Sequence, residues 1–279
     1  MGKYRIITDK KGRRRIVRIP SIPFKVFTYL FPEHKTKSLI TGKWTNETLG
    51  QTIEEAISRS YEIDSGINPE RVDLPLVEYL VPILTSIIPK DIQFVEALGA
   101  KNGCVDFNLK YKGLLRTCSV KTNFGTDLVA PQTYGQLTKK KFIEKFGVVP
   151  THEEDLDDFI KRHIYENFKE MMPKYLTGLT CCDFTLYIKT KGSKKSGMIE
   201  FQYISLFYTK RLEHFHFDSD KLSLSNNTYN WFSTNTDAPC RSNYLYHDGT
   251  KIGYFQIHTS RDCVKFRFYL SDFLEVVAS

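Results

Sequence analysis

The sequence predicts an α/β protein with a mixed central sheet flanked by helices and a β-rich C-terminal extension. Apolar residues recur at helical spacing over residues 46–61, which indicates a helix with one buried face. Apolar and polar residues alternate strictly over residues 105–111, which is the period of a strand. After Asp183 strand-like patterns dominate, so helices and sheet share the first part of the chain and strands fill the second.

The N-terminal part of the chain supplies the predicted helices. Residues 1–45 form a basic segment in which three prolines punctuate extended pieces. A helix follows over residues 46–61. A second apolar segment, 74–88, contains Pro82 and predicts a bent or interrupted helix. A strand is expected over residues 92–98.

Two short strands, 105–111 and 115–121, are predicted to form a hairpin with Lys112 and Gly113 at its turn. Because side chains alternate between faces along a strand, Ser119 and Lys121 share a face. The sequence therefore predicts one polar and one basic side chain side by side on the second strand.

Pairing of these strands would bring Asp106 to the same edge as Ser119 and Lys121, with Thr117 beside them. An acidic residue, a polar residue and a lysine gathered in this way can hold a divalent cation next to a phosphodiester. A nuclease is therefore the first functional hypothesis.

The C-terminal half is predicted to contain one helix followed by strands. Thr151 and Glu154 form a capping-box pattern that predicts the helix start. Strands are expected over 184–189 and 198–208, an irregular polar segment over 218–250, and a closing hairpin made of 252–258 and 263–270. We expect three parts, namely a basic N-terminal segment 1–45, an α/β catalytic core 46–180, and a β-rich half 181–279.

Composition favours a soluble globular protein. Of the 279 residues, 41% are hydrophobic and 26% charged, and no apolar run approaches the roughly 20 residues of a membrane-spanning helix. The chain starts with polar and basic residues rather than an apolar signal segment, so a cytoplasmic protein is expected. The net charge of +8 is compatible with a polyanionic partner. The sequence has no nucleophile elbow, phosphate-binding glycine loop or dinucleotide fingerprint.

The six cysteines show no Cys-x-x-Cys spacing. Cys181 and Cys182 are adjacent and flanked by Leu179 and Phe184, which is typical of core packing. Free buried thiols in a reducing compartment are expected, and a structural zinc site is not.

Phosphodiester hydrolysis requires a positioned water and neutralisation of the charge that grows on the phosphate, and Mg²⁺ can supply much of this. Asp106 is the first candidate ligand. The backbone carbonyl of Val120, which lies between two residues that face the site, is the second. Lys121 would orient the attacking water or stabilise developing negative charge.

These residues resemble the PD-(D/E)xK nuclease superfamily, the fold of most type II restriction endonucleases. Val105-Asp106 matches the first half of its motif, and Ser119-Val120-Lys121 matches the second half. Val105 stands where the family usually has Pro, and Ser119 stands where it usually has an acidic residue. Family members with a neutral polar residue at the second position exist, so the resemblance implies a restriction-endonuclease-like core with a variant motif.

The segment from Leu49 to Glu54 resembles the Gly-x-x-x-Glu helix that precedes the core sheet in many of these nucleases. The resemblance implies that Glu54 supplies the second negative charge at the metal, and that Ser119 hydrogen-bonds a water at the ion. Glu55 lies about 100° further around the helix and is expected to be solvated. Glu96 is an alternative ligand.

The resemblance implies a sequence-specific, Mg²⁺-dependent endonuclease of a prokaryotic cytoplasm that cuts double-stranded DNA, with the β-rich half 181–279 contributing to DNA recognition. Cleavage of both strands of a symmetric site favours a homodimer, and a monomer that acts twice is the alternative. Two alternatives stay open, a repair or RNA-processing nuclease of the same fold and a non-catalytic nucleic-acid-binding protein. Basic clusters would bind phosphates, Asn123 lies close to the expected metal, and two arginines could read bases. The predicted DNA-binding residues are Arg13, Arg14, Arg15, Asn123, Lys139, Lys140, Lys141, Arg241 and Arg261.

Overall fold

The computed structural model describes residues 4–8, 14–18, 22–31, 35–37, 45–99, 103–123, 128–131, 134–150, 155–193, 198–225, 242–258 and 262–278. Over these residues the strands are β1 (Tyr4–Thr8), β2 (Arg14–Arg18), β3 (Lys25–Leu30), β4 (Lys35–Lys37), β5 (Ile92–Ala97), β6 (Phe107–Tyr111), β7 (Leu114–Asn123), β8 (Leu128–Val129), β9 (Gln136–Leu137), β10 (Phe184–Ser193), β11 (Met198–Phe207), β12 (Leu222–Leu224), β13 (Ser242–His247), β14 (Thr250–His258) and β15 (Cys263–Tyr269). The helices are α1 (Asn46–Ser60), α2 (Leu74–Ile87), α3 (Lys139–Phe146), α4 (Leu156–Thr177) and α5 (Leu270–Ala278), with 3-10 turns at Pro69–Arg71 and Thr209–His214.

A seven-stranded mixed sheet forms the centre of the fold, which confirms the predicted class. Its strand order is β3-β11-β10-β7-β6-β5, and β4 also pairs with β11. Strands β7 and β10 run parallel, whereas the other neighbours are antiparallel. The sheet thus takes strands from all three parts of the predicted domain division, and that division stays a prediction.

The predicted hairpin is confirmed as β6 and β7, paired antiparallel with Phe107 opposite Cys118. Its turn residues Lys112 and Gly113 have φ angles of 50° and 78°. Two consecutive residues with positive φ give the turn whose twist matches that of the flanking strands. The turn therefore fixes the register that sets Asp106 beside the second strand.

Helix α1 confirms the predicted amphipathic helix and packs against α2 and β7. It begins at N-cap Thr45, whose hydroxyl accepts a hydrogen bond from the Thr48 amide at 3.0 Å. Its apolar stripe, which includes Leu49 and Ile53, is fully buried in the core that also contains Val120. Burial of this stripe places the next residue, Glu54, at the sheet. The predicted helix around Pro82 is confirmed as α2, which continues without interruption through the proline, and the predicted bend stays a prediction.

The predicted start of the long helix at Thr151 is wrong, because α4 begins at Leu156. The Asp155 carboxylate caps it by accepting hydrogen bonds from the amides of Asp157 and Asp158. Thr151 and Glu154 lie outside the described residues. An anionic side chain directly before the first turn accepts hydrogen bonds from the free amides and interacts favourably with the positive end of the helix dipole.

A six-stranded antiparallel sheet in the order β12-β13-β14-β15-β8, with β9 beside β15, forms the second layer. It confirms the closing hairpin as β14 and β15 and packs with α4 and α5 around a second core. The prediction of an irregular segment over 218–250 is wrong at β12 and β13, and residues 226–241 lie outside the described residues. No helix in the described part of the chain is long and apolar enough to cross a membrane.

Candidate active site

Asp106 lies directly before β6, and both its backbone and its side chain are held in place. Its amide donates to the Cys118 carbonyl at 3.0 Å, and its own carbonyl accepts from the Leu98 amide at 2.9 Å. Its Oδ2 atom accepts the Ser119 hydroxyl at 3.0 Å and the Val120 amide at 2.6 Å. Both side-chain contacts use one oxygen, so Oδ1 can serve another partner.

Lys121 lies beside this carboxylate. Its Nζ atom is 3.9 Å from Asp106 Oδ2, and the two side chains are only 21% and 20% exposed. Ser119 and Lys121 line the same small cavity, which agrees with the predicted shared face. Partial removal from water strengthens the attraction between the ammonium and the carboxylate compared with a fully solvated pair.

Glu54 of α1 completes the charged group. Burial and the negative charge of Asp106 raise the pKa of Glu54, the positive charge of Lys121 opposes the rise, and the net result is a pKa of about 7. The Glu54 carboxylate therefore lies within electrostatic range of both other groups. The structure brings together the two carboxylates and the lysine that the sequence analysis selected.

The orientation of β7 also directs the Val120 carbonyl towards the edge of the strand at which Asp106 lies. In an extended strand the amide and carbonyl of one residue point to the same edge, as in antiparallel pairs that exchange both hydrogen bonds. The Val120 amide points at Asp106, so the carbonyl of Val120 points to the same side. Two carboxylates and one backbone carbonyl are hard oxygen donors, and this donor set fits Mg²⁺.

The two other acidic residues that the sequence analysis considered are each held by a neighbouring side chain. Glu55, expected to be solvated, is instead 13% exposed, and it accepts hydrogen bonds from Arg59 at 2.7 Å and from the Ser65 hydroxyl. Glu96 is exposed on β5 and accepts a hydrogen bond from Asn108 at 2.7 Å. Both carboxylates are engaged by neighbouring side chains.

Among the predicted DNA-binding residues, the three lysines of α3 differ from one another. Lys139 forms an ion pair with Asp157 in which both side chains are 14% exposed, and its amide donates to Asp262 at 2.8 Å. Lys140 and Lys141 are exposed at the start of the same helix. The charge of Lys139 is thus already matched within the protein, whereas the other two face solvent.

The other predicted DNA-binding residues lie at the margins of the described chain. Arg14 and Arg15 lie on β2 and Asn123 at the end of β7, and the positions of their side chains are not described. The sites predicted at Arg13, Arg241 and Arg261 lie outside the described residues.

The sequence analysis missed a cluster of three thiols next to the charged group. The Sγ atoms of Cys104, Cys181 and Cys182 all lie within 4.8 Å of one another. The prediction of core packing is wrong for Cys181, which is exposed and lines the same cavity as Lys121. Interactions with the Cys182 and Cys104 thiols and with the Lys121 ammonium lower the pKa of Cys181 to about 6, although burial opposes this change. The only sequence signal for this cluster is the adjacency of two of its members.

Comparison with known proteins finds a viral restriction enzyme that is similar to this chain. The chain is 28% identical over 251 residues to "Type II restriction enzyme CviAII" of Paramecium bursaria Chlorella virus 1. The alignment covers 86% of this chain and 65% of that enzyme, so the chain spans slightly less than two thirds of its relative's length. No protein-family model matches the chain. This chain is therefore weakly similar to a type II restriction enzyme along most of its own length.

Proposed function

We propose that the protein is a Mg²⁺-dependent endonuclease of the type II restriction kind that cuts double-stranded DNA at a specific sequence. The observation that carries this proposal is the position of Lys121 Nζ, 3.9 Å from an Asp106 carboxylate that Ser119 and Val120 hold in place. Glu54 within electrostatic range of both, together with the similarity to a restriction enzyme, supports it.

In this proposal Asp106, Glu54 and the Val120 carbonyl hold Mg²⁺. The ion would supply Lewis-acid stabilisation of the phosphate and a fixed point for the substrate. The fit rests on charge as well as on geometry. Without a cation, burial and the nearby Asp106 raise the pKa of Glu54 to about 7, so the second carboxylate is protonated in a large share of molecules at neutral pH. A divalent cation would offset the cost of burying the charged Glu54 carboxylate beside Asp106, and so would favour its charged form.

The ammonium of Lys121 acts on the scissile phosphate in this arrangement. A positive charge fixed in a partly dry site stabilises the negative charge that develops on the phosphate, without the reorganisation that water would need. It can also orient the attacking water by donating a hydrogen bond to it. Ser119 holds Asp106 in position, because its hydroxyl already donates to Oδ2, and it can still accept a hydrogen bond from a water.

DNA would reach this site through an adjoining cleft. This cleft of about 540 Å³ contains Lys169, His216 and the ion pair of Lys210 with Glu213, and it shares Cys181 with the small cavity at Lys121. Basic side chains along such a cleft can bind successive phosphates. Cleavage of both strands at a symmetric sequence favours a homodimer, since two-fold symmetric DNA matches a two-fold symmetric protein. A cytoplasmic location belongs to the same proposal.

Digestion of a long DNA of mixed sequence with Mg²⁺, beside an EDTA control, tests the function. Discrete fragments are expected, because a type II enzyme cuts only at its recognition sequence. A smear would favour a repair or general nuclease. DNA binding without Mg²⁺-dependent cleavage would favour a non-catalytic binding protein.

The variant Lys121→Ala separates catalysis from binding. Cleavage should fall by about 10²- to 10³-fold, while DNA affinity in a gel-shift assay stays near that of the wild type. Lys110→Ala is the matched control, because Lys110 is an exposed lysine on the partner strand of the same hairpin. Equal loss of cleavage in both variants would contradict the assigned role of Lys121.

A further inference from the structure

Three thiols from two distant parts of the chain meet beside the proposed nuclease site. Cys104 lies in the turn before Asp106, and Cys181 and Cys182 lie in the bend before β10. Their Sγ atoms are all within 4.8 Å of one another. The Cys182 thiol also donates a hydrogen bond to the Cys104 carbonyl at 3.1 Å. The cluster thus joins two segments that otherwise belong to different strands.

The spacing of these sulfur atoms is close to what a single metal ion requires. With Zn–S bonds of about 2.3 Å and tetrahedral angles, two thiolates on one zinc ion lie about 3.8 Å apart. The separations in the cluster do not exceed 4.8 Å, so small side-chain rotations suffice to close the site. Sulfur ligands select zinc and similar soft ions, whereas the nearby carboxylates select Mg²⁺.

The surroundings act on the three thiols in opposite directions: burial raises the pKa of Cys104, and the neighbouring Cys181 together with burial raises the pKa of Cys182, so a metal must displace their protons. Three thiolates on a divalent ion carry a net negative charge, and Lys121 is a nearby cation that interacts electrostatically with Cys181. Cys181 is exposed and lines both the small cavity and the larger cleft, which gives an ion a path from solvent. Cys104 is partly exposed and Cys182 is buried, so Cys182 forms the side of the site that is shielded from solvent.

We propose that Cys104, Cys181 and Cys182 bind one zinc ion, with the fourth ligand position open to solvent. Binding requires all three sulfur atoms as thiolates, so the thiol protons that are still present pass to the solvent as the three bonds to the metal form. The ion would tie the turn that precedes Asp106 to the bend that precedes β10. It is separate from the proposed magnesium site, which uses oxygen ligands only.

Metal content of the purified full chain tests this proposal. The protein is prepared with a phosphine reductant, loaded with Zn²⁺, dialysed against metal-free buffer and analysed by mass spectrometry of the metal. About one Zn²⁺ per chain is expected in the wild type, and Cys104→Ser and Cys181→Ser should each lose most of it. Cys263→Ser is the matched control, because Cys263 is a buried thiol outside the cluster, and it should retain the metal.

A second measurement covers the case in which a variant folds poorly. Titration of the wild type with Cd²⁺ should produce the ultraviolet charge-transfer band of cadmium thiolates, which saturates at about one ion per chain. Addition of Zn²⁺ should also raise the Tm of the wild type more than that of Cys181→Ser. Neither readout depends on nuclease activity.

Two outcomes would overturn the proposal. The first is a folded wild-type protein that shows no stoichiometric Zn²⁺ and no cadmium–thiolate band. The second is a disulfide between Cys104 and one of the adjacent cysteines in protein purified without oxygen, seen as the loss of two hydrogen masses in the intact chain. That result would assign the cluster to redox chemistry instead.

Discussion

Replacing Glu54 by glutamine should stabilise the cation-free protein above neutral pH. Burial and the neighbouring Asp106 raise the pKa of Glu54 from 4.5 to about 7. One pKa unit corresponds to about 1.4 kcal/mol, so at pH values above 7 the charged side chain destabilises the folded state by on the order of 3 kcal/mol. Glutamine has nearly the same shape and carries no charge.

The sign of the pH dependence follows from the direction of the shift. A carboxyl group whose pKa is higher in the folded protein binds its proton more tightly there than in the unfolded chain. Its contribution to stability is therefore fully present below the unfolded value of 4.5 and is lost as the pH rises through about 7. The difference between variant and wild type should grow over the same interval, because other titrating groups are common to both proteins.

Urea unfolding in EDTA measures this difference. At about pH 4 the free energies of unfolding of wild type and Glu54→Gln should agree closely, and at about pH 8 the variant should be more stable by up to about 3 kcal/mol. Added Mg²⁺ should stabilise the wild type more than the variant. Glu55→Gln is the matched control and should lose stability, because Glu55 is bound by Arg59 and Ser65.

A constant difference between wild type and Glu54→Gln across this pH range would refute the reasoning. It would mean that water solvates the Glu54 carboxylate in the folded protein. Glu54 would then lie outside the electrostatic environment of Asp106 and Lys121. The proposed site would lose its second negative charge.

Three further changes address the site and its surface. Asp106→Asn should lower Mg²⁺-dependent cleavage by at least about 100-fold with an unchanged circular-dichroism spectrum, and near-normal cleavage would remove Asp106 from the site. The double variant Lys140→Ala, Lys141→Ala should reduce the slope of log affinity against log salt by about 0.9 for each DNA phosphate that it no longer neutralises. Lys139→Ala should mainly lower the Tm, because Lys139 is paired with Asp157. Asp183→Ala should destabilise the protein by about 1–3 kcal/mol in urea, because Asp183 accepts two hydrogen bonds from Thr117 within β7.

Local sequence patterns were sufficient for the elements that position the candidate site. The amphipathic stripe of α1 and the alternation along β6 each need only neighbouring residues, so both were predicted. The turn at Lys112 and Gly113 then fixed the hairpin register. The start of α4 was misplaced because two capping signals lie within a few residues, and the carboxylate of Asp155 caps this helix.

The remaining features depend on contacts between distant residues. Cys104 meets Cys181 only because β7 and β10 pair in parallel, and no short spacing in the sequence encodes that pairing. Likewise the ion pair of Lys139 with Asp157 joins two different helices, so the spacing of the basic cluster could not distinguish Lys139 from its two neighbours. The raised pKa of Glu54 follows from burial at a helix–sheet contact, which local patterns cannot measure.

The serine at position 119 changes how the proposed metal site obtains its charge. Ser119 is 1% exposed, and its hydroxyl lies 3.0 Å from Asp106 Oδ2. A carboxylate at this buried position would set two negative charges in contact, which costs free energy unless a cation separates them. With serine, Asp106 is held by two hydrogen-bond donors even without metal, and the second charge comes from Glu54 on α1. Cation affinity should therefore depend on how α1 packs against β7, and a cavity-forming substitution such as Ile53→Ala should weaken Mg²⁺ binding although Ile53 lies in the core.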